Sequence, residues 1–167
     1  DAPQLAAIHD MIRHSSNEAA TRVLGWVGRE RLLDILQTPG ILLYDPMRWG
    51  GLWVGKAYGA EGAYRRDPVA HLSHGATAFQ VARFYYLLEA RRLVSPALTA
   101  LMKDALARPA IRHKFVKGLE SRPAAELFRK AGTWQDFHAD SALIQSGRHT
   151  LVIVGLAHHP QGGEWLA

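Results

Sequence analysis

Two short stretches of this sequence carry residue types that do acid–base and ligand-binding chemistry. One is Met11-Ile12-Arg13-His14-Ser15-Ser16-Asn17, which sets two hydroxyls and an amide side by side. The other is Glu126-Leu127-Phe128-Arg129-Lys130-Ala131-Gly132-Thr133-Trp134. Read as a strand, its period-two alternation puts Phe128, Lys130 and Gly132 on one face. Gly132 has no side chain to hold a bound molecule away from the backbone. A lysine cation beside an open strand edge suits an anionic, peptide-like ligand, which adds to the edge through main-chain hydrogen bonds. Asn17 is the only asparagine in the sequence, so no other asparagine can share its role.

The elements that must position these residues change character along the chain. Leu5, Ile8, Met11 and Ile12 recur at helical spacing between Pro3 and His14. Asn17 reads as the N-cap of a second helix, Glu18 to Val27, which Gly28 stops. A short third helix runs from Glu30 to Gln37, followed by the breaker Thr38-Pro39-Gly40 and a brief extended piece to Tyr44. Residues 45–72 form a glycine- and aromatic-rich connection of the kind that is usually functional or mobile. Thr77 caps a helix from Ala78 to Arg92, and Ser95-Pro96 opens another that reaches about Ala107. Ile111 to Leu119 reads as a further helical piece, basic on its exposed side.

After Ser121-Arg122-Pro123 the pattern turns to strands at Glu126–Gly132, His138–Gln145 and His149–Ala157. Ser146-Gly147-Arg148 is a tight hairpin signal. The continuous run Leu151-Val152-Ile153-Val154 fits a strand covered on both faces. The expected fold is α+β: an antiparallel sheet flanked by helices, with a mostly helical subdomain over residues 1–122 and the strands over 123–167.

Ser15-x-Asn17 followed far downstream by Lys130-x-Gly132-Thr133 resembles the second and third motifs of the serine β-lactamases and penicillin-binding proteins. The context Met11-Ile12-x-x-Ser15-x-Asn17-x-x-Ala20 and the helix opening at Gly75-Ala76-Thr77-Ala78 support the resemblance, which spans almost the whole chain. It implies a β-lactamase/transpeptidase-like fold, incomplete at both termini, and acyl transfer at a serine to an amide, ester or lactam. The nucleophile motif of that family, Ser-x-x-Lys, is absent: no serine here has a lysine three residues later. The resemblance therefore implies the C-terminal part of a longer protein, inactive alone, whose nucleophile lies on an N-terminal segment. The alternative is a non-catalytic relative of that fold that binds a peptidoglycan-like or other ligand.

Carried over residue by residue, the resemblance makes Ser15 a proton relay helped by the Lys130 cation. Asn17 would bind a substrate amide, and the backbone at Gly132 and Thr133 would pair with the ligand and supply an oxyanion-hole amide. Ala131 stands where the family usually has Thr or Ser, so a carboxylate contact is either lost or moved to Thr133. The pocket loop holds one glutamate, Glu61, and no asparagine, so the usual water-activating pair is missing. The substrate would be a small molecule or peptide with a carboxylate, in a periplasmic or secreted setting.

Composition narrows the rest. Lys+Arg 20 against Asp+Glu 15 suits an anionic partner, yet the basic residues are scattered and form no nucleic-acid module. Zero cysteines exclude disulfides and thiolate chemistry. The nine histidines include no His-Glu-x-x-His, and His71-x-x-His74 and His158-His159 lack a carboxylate at ligand spacing, so no metal or other cofactor is expected. No apolar run is long enough to span a membrane.

Overall fold

The computed structural model describes residues 2–59, 64–122 and 125–167. Helix α1 (Ala2–Arg13) ends where Ser15 takes a positive φ of 58°, and α2 (Asn17–Val27) begins two residues later. The cap of α2 is Ser16, not Asn17. The Ser16 hydroxyl accepts from the Ala19 amide at 3.1 Å, because the cap residue must be extended and Ser16 is the residue that can be. Asn17 thus becomes the first helical residue, with its amide side chain exposed. Gly28, at φ 81°, separates α2 from α3 (Arg29–Gln37).

The glycine-rich connection is a stapled loop. Its strands are two-residue pieces: β1 (Tyr44–Asp45) pairs with β2 (Gly50–Gly51), and β3 (Trp53–Val54) pairs with β4 (His74–Gly75). A Cβ on Gly51 would stand 2.2 Å from the Leu43 carbonyl, and one on Gly55 would stand 2.0 Å from that of Arg65. The loop backbone closes on itself only because those side chains are missing. Inside it the buried Tyr44 hydroxyl donates to the buried Asp67 carboxylate, which also accepts from the Val69 and Ala70 amides. Burial opposes ionisation of Asp67, but these hydrogen bonds outweigh it and hold its pKa below the usual carboxylate range.

Thr77 and Ser95 cap α4 (Ala78–Glu89) and α5 (Pro96–Leu106) through their hydroxyls, as expected. The helix expected over Ile111–Leu119 is reduced to one turn, α6 (Phe115–Gly118). The carbonyls of Ile111 and His113 accept from the Arg129 guanidinium, so they are not available to a helix. Lys114 sits at φ 54° and is buried, contrary to the expected exposed basic face.

The main sheet has the order β5-β6-β7, with β5 Glu126–Trp134, β6 Phe137–Ser146 and β7 His149–His158. Two-residue turns join the strands, each with its first central residue at positive φ: Gln135 at 50° and Gly147 at 57°. Phe128 and Leu143 are paired across strands and pack with Tyr85 and Leu88 of α4 in a core cluster. A second cluster joins Leu33 and Leu36 to Leu43, Tyr44, Trp53 and Leu87. The opposite sheet face meets Phe115 and the final turn α7 (Gly162–Trp165). Coverage on both faces fails for β7: Leu151 is 57% and Ile153 37% exposed among the described residues.

Candidate active site

The face parity expected for β5 holds. Phe128 is in the core, Lys130 pairs with Ser141, and Gly132 pairs with Ala139. At the other end of the chain, α1 delivers Ser15 to the same place. Its left-handed conformation, sparsely populated for a residue with a Cβ, turns the chain sharply between α1 and α2. The Lys130 ammonium donates to Ser15 Oγ at 2.7 Å and to the Ala131 carbonyl at 2.5 Å. A contact between residues 115 apart thus joins the two stretches singled out in the sequence.

A cleft of about 200 Å³ opens around this contact, lined among others by Ser15, His113, Lys130, Gly132 and Thr133. Asn17 does not line it. Asn17 lies instead beside Gly59 of the pocket loop, whose Cβ position is 3.6 Å from the Asn17 side chain. The loop reaches α2 a second time through Thr21, whose hydroxyl donates to the Tyr58 carbonyl at 3.0 Å. Among the described residues the loop therefore walls the Asn17 side. Glu61 falls outside the described residues.

Several residues that the motifs do not mark hold the site together. Ser141 donates to the Lys130 carbonyl at 2.9 Å, and the buried Tyr85 hydroxyl donates to the Ser141 carbonyl at 3.0 Å. Burial of Tyr85 pushes its pKa up to about 12, so it stays a donor at all ordinary pH. On the opposite face Arg129 is 3% and Asp140 1% exposed, joined by two contacts of 2.7 Å. Asp140 also accepts from the Phe115 amide at 3.0 Å. This buried pair fixes the 111–115 segment against the back of β5. Its sequence signal is a pair of opposite charges at diagonal positions of adjacent strands, both at inward parity.

Lys114 is the other residue sequence reasoning missed. Its ammonium donates to the Gly132 carbonyl at 2.7 Å, to Thr133 Oγ1 at 2.9 Å and to the Ala139 carbonyl at 3.1 Å. An ammonium has three donors and no acceptor, so these bonds use all of it. Thr133 must accept from Lys114, which leaves the threonine's own proton to donate elsewhere. Burial lowers the Lys114 pKa, as does the Arg129 charge, while Asp140 supports its charge. For Lys130 burial again comes first, followed by Arg129, and together they bring its pKa from 10.5 to about 8. Lys130 is thus a cation at neutral pH that gives up its proton far more readily than an ordinary lysine. Among the described residues no group of histidines and carboxylates has metal-binding geometry, and no helix is long and apolar enough to cross a membrane.

A sequence profile described as the beta-lactamase enzyme family matches residues 3–164. No curated protein matches significantly. Among solved structures, a beta-lactamase from Sphaerobacter thermophilus superposes with a TM-score of 0.76 at 18% identity, covering 96% of this chain and 57% of its own. A beta-lactamase from Streptomyces albus G gives 0.74 at 17%, covering 94% of this chain and 56% of its own. A class A beta-lactamase from Mycobacterium abscessus gives 0.75 at 15%, covering 98% and 60%. At these identities the likeness is one of fold, and the chain spans less than two thirds of each of those proteins.

Proposed function

We propose that this chain, which belongs to the beta-lactamase enzyme family, carries the proton-relay and ligand-edge half of a serine acyl-transfer site. The contact between Lys130 Nζ and Ser15 Oγ carries the reading. A hydroxyl held by a lysine of lowered pKa can pass a proton to a departing nitrogen and be reprotonated at once. Ser15 is the relay and Lys130 its proton source and anion anchor. Gly132 leaves the strand backbone bare for a ligand that adds to the edge of β5. Thr133, held as an acceptor by Lys114, turns its own proton toward a substrate carboxylate. Asn17 serves the amide end of the substrate from the loop side. Amides, esters and lactams bearing a carboxylate are the substrate class, and a periplasmic or secreted setting is part of the same proposal.

The step that forms the acyl-enzyme needs a nucleophile, and none of the serines in these residues has a lysine three positions on. The proposal places that serine outside the 167 residues. Intact mass spectrometry tests it, with the complete gene product and the 167-residue chain each incubated with benzylpenicillin or an activated ester. The expected result is one acyl adduct on the complete product, mapped to a serine outside this chain, and none on the chain alone. An adduct on Ser15, or no adduct on either, would sink the acyl-transfer reading. The latter result, with carboxylate binding retained, favours the non-catalytic relative that the missing Ser-x-x-Lys motif leaves open.

A further inference from the structure

The β1–β2 hairpin ends in a turn that holds its apolar side chains outward. Pro46–Arg48 form a single 3-10 turn, in which Met47 is 91% exposed, and the Trp49 that follows is 86% exposed. The turn is built rather than loose. Asp45 accepts from the Met47 amide at 2.9 Å and pairs with Arg48 at 3.6 Å. Trp49 holds a positive φ of 67°, uncommon for a residue of its bulk. Strain of that kind persists only where the surroundings enforce it, and here it holds an indole out in solvent.

A second turn lies beside the first. A Cβ on Gly50 would stand 3.7 Å from Val69 Cβ, and Arg66 spans residues 67–71 by donating to the His71 carbonyl at 2.7 Å. Val69 and Leu72 are exposed on this turn. In both turns the carboxylate is directed inward and the cation outward. Asp45 caps its own turn, and the buried Asp67 accepts from Tyr44, Val69 and Ala70. Arg48 is left mostly exposed. Arg66 lies over the Tyr64 ring and meets no carboxylate among the described residues. The two turns together make a convex tip that is apolar and cationic.

We propose that this tip, Met47 and Trp49 flanked by Val69, Leu72, Arg48 and Arg66, docks on a lipid surface carrying anionic headgroups. Two protruding side chains cannot supply the roughly 800 Å² per partner that a stable protein interface buries. A bilayer interface asks for less. Indole rings settle at headgroup level, apolar side chains enter the acyl boundary, and each arginine near the surface adds attraction to anionic lipid. The excess of Lys+Arg 20 over Asp+Glu 15 acts in the same direction. Docking there holds the pocket loop, whose Gly59 lies beside Asn17, close to the membrane surface without a spanning helix.

Co-sedimentation of the complete gene product with vesicles tests this, using phosphatidylcholine alone and phosphatidylcholine mixed with phosphatidylglycerol. The expected result is partition to the anionic vesicles, weakened by salt, and little to the neutral ones. Met47→Ser combined with Trp49→Asn lowers that partition about ten-fold or more, and Arg48→Gln or Arg66→Gln lowers it about five-fold each. Asparagine tolerates the left-handed backbone at position 49, so the thermal unfolding of the double variant matches that of the unmodified protein. Equal partition to neutral and anionic vesicles, or partition that the double variant retains, overturns the proposal. So does an absence of vesicle binding, whether the tip stays bare or sedimentation equilibrium shows it joining a second copy that the same substitutions release.

Discussion

Replacing Lys130 by methionine should cost little stability at pH 7 and markedly more as the pH rises from about 8 to 10.5. In the unfolded chain this lysine titrates near 10.5, and in the folded protein near 8. Below pH 8 both states are protonated, so the folded state bears the full cost of holding the charge in the partly buried site, on the order of 3 kcal/mol. Between about pH 8 and 10.5 the unfolded chain binds more protons than the folded one, and wild-type stability rises with pH across that window. Methionine fills similar space without the charge, but the hydrogen bonds to Ser15 and to the Ala131 carbonyl are lost, each worth about 1.5–3 kcal/mol because the donor is charged. At pH 7 the two effects are of the same order, so the variant is no more stable than wild type there, and it falls behind by on the order of 3 kcal/mol more as the pH rises to about 10.5. Urea or thermal unfolding of both proteins at pH 7, 8.5 and 10 gives the comparison. If Lys130→Met is the less stable protein at pH 7, and by the same amount at pH 10, the burial argument for Lys130 is wrong. The site would then rest on a cation that the fold favours rather than tolerates.

Two further outcomes follow from the buried charges. Asp67 has a lowered pKa, so it stabilises the fold above the unfolded carboxylate value near 4 and loses that contribution as the pH falls through its folded value. Asp67→Asn should cost about 2–4 kcal/mol at pH 7 and flatten stability below pH 4; an unchanged acid-unfolding profile would contradict the loop staple. Arg129→Met strands Asp140 and should cost about 3–5 kcal/mol. Combining it with Asp140→Leu should recover most of that loss in urea unfolding, whereas simple addition of the two single losses would show that the pair is not coupled.

Much of this architecture was legible because it rests on local chemistry. Thr77 and Ser95 cap helices wherever their hydroxyls meet free amides, and the alternation of Phe128, Lys130 and Gly132 needs only that β5 be a strand. The Ser15 and Lys130 stretches were recognisable as partners through their resemblance, and the 2.7 Å contact brings them together. What local pattern hides is competition for a single group. Ser16 and Asn17 are both good caps, and which one is extended depends on the left-handed turn at Ser15. Ile111–Leu119 has helical spacing, but Arg129 from a distant strand takes its carbonyls. Lys114 looks like a surface lysine, and its three acceptors come from β5 and β6. Long-range hydrogen bonding decided the last two of these cases, and a local backbone turn the first.

The adjacent cations Arg129 and Lys130 differ in fate by a single step of strand parity. One is sealed against Asp140 and the other faces Ser15, and the two-residue turn at Gln135-Asp136 sets which is which. Deleting one residue from that turn would slide β5 by one position on β6 and exchange their places, setting Lys130 toward Asp140 and Arg129 toward Ser15. A reading-frame-preserving loss of one codon at an exposed hairpin tip would thus rewire the charge of the cleft without touching any residue that lines it.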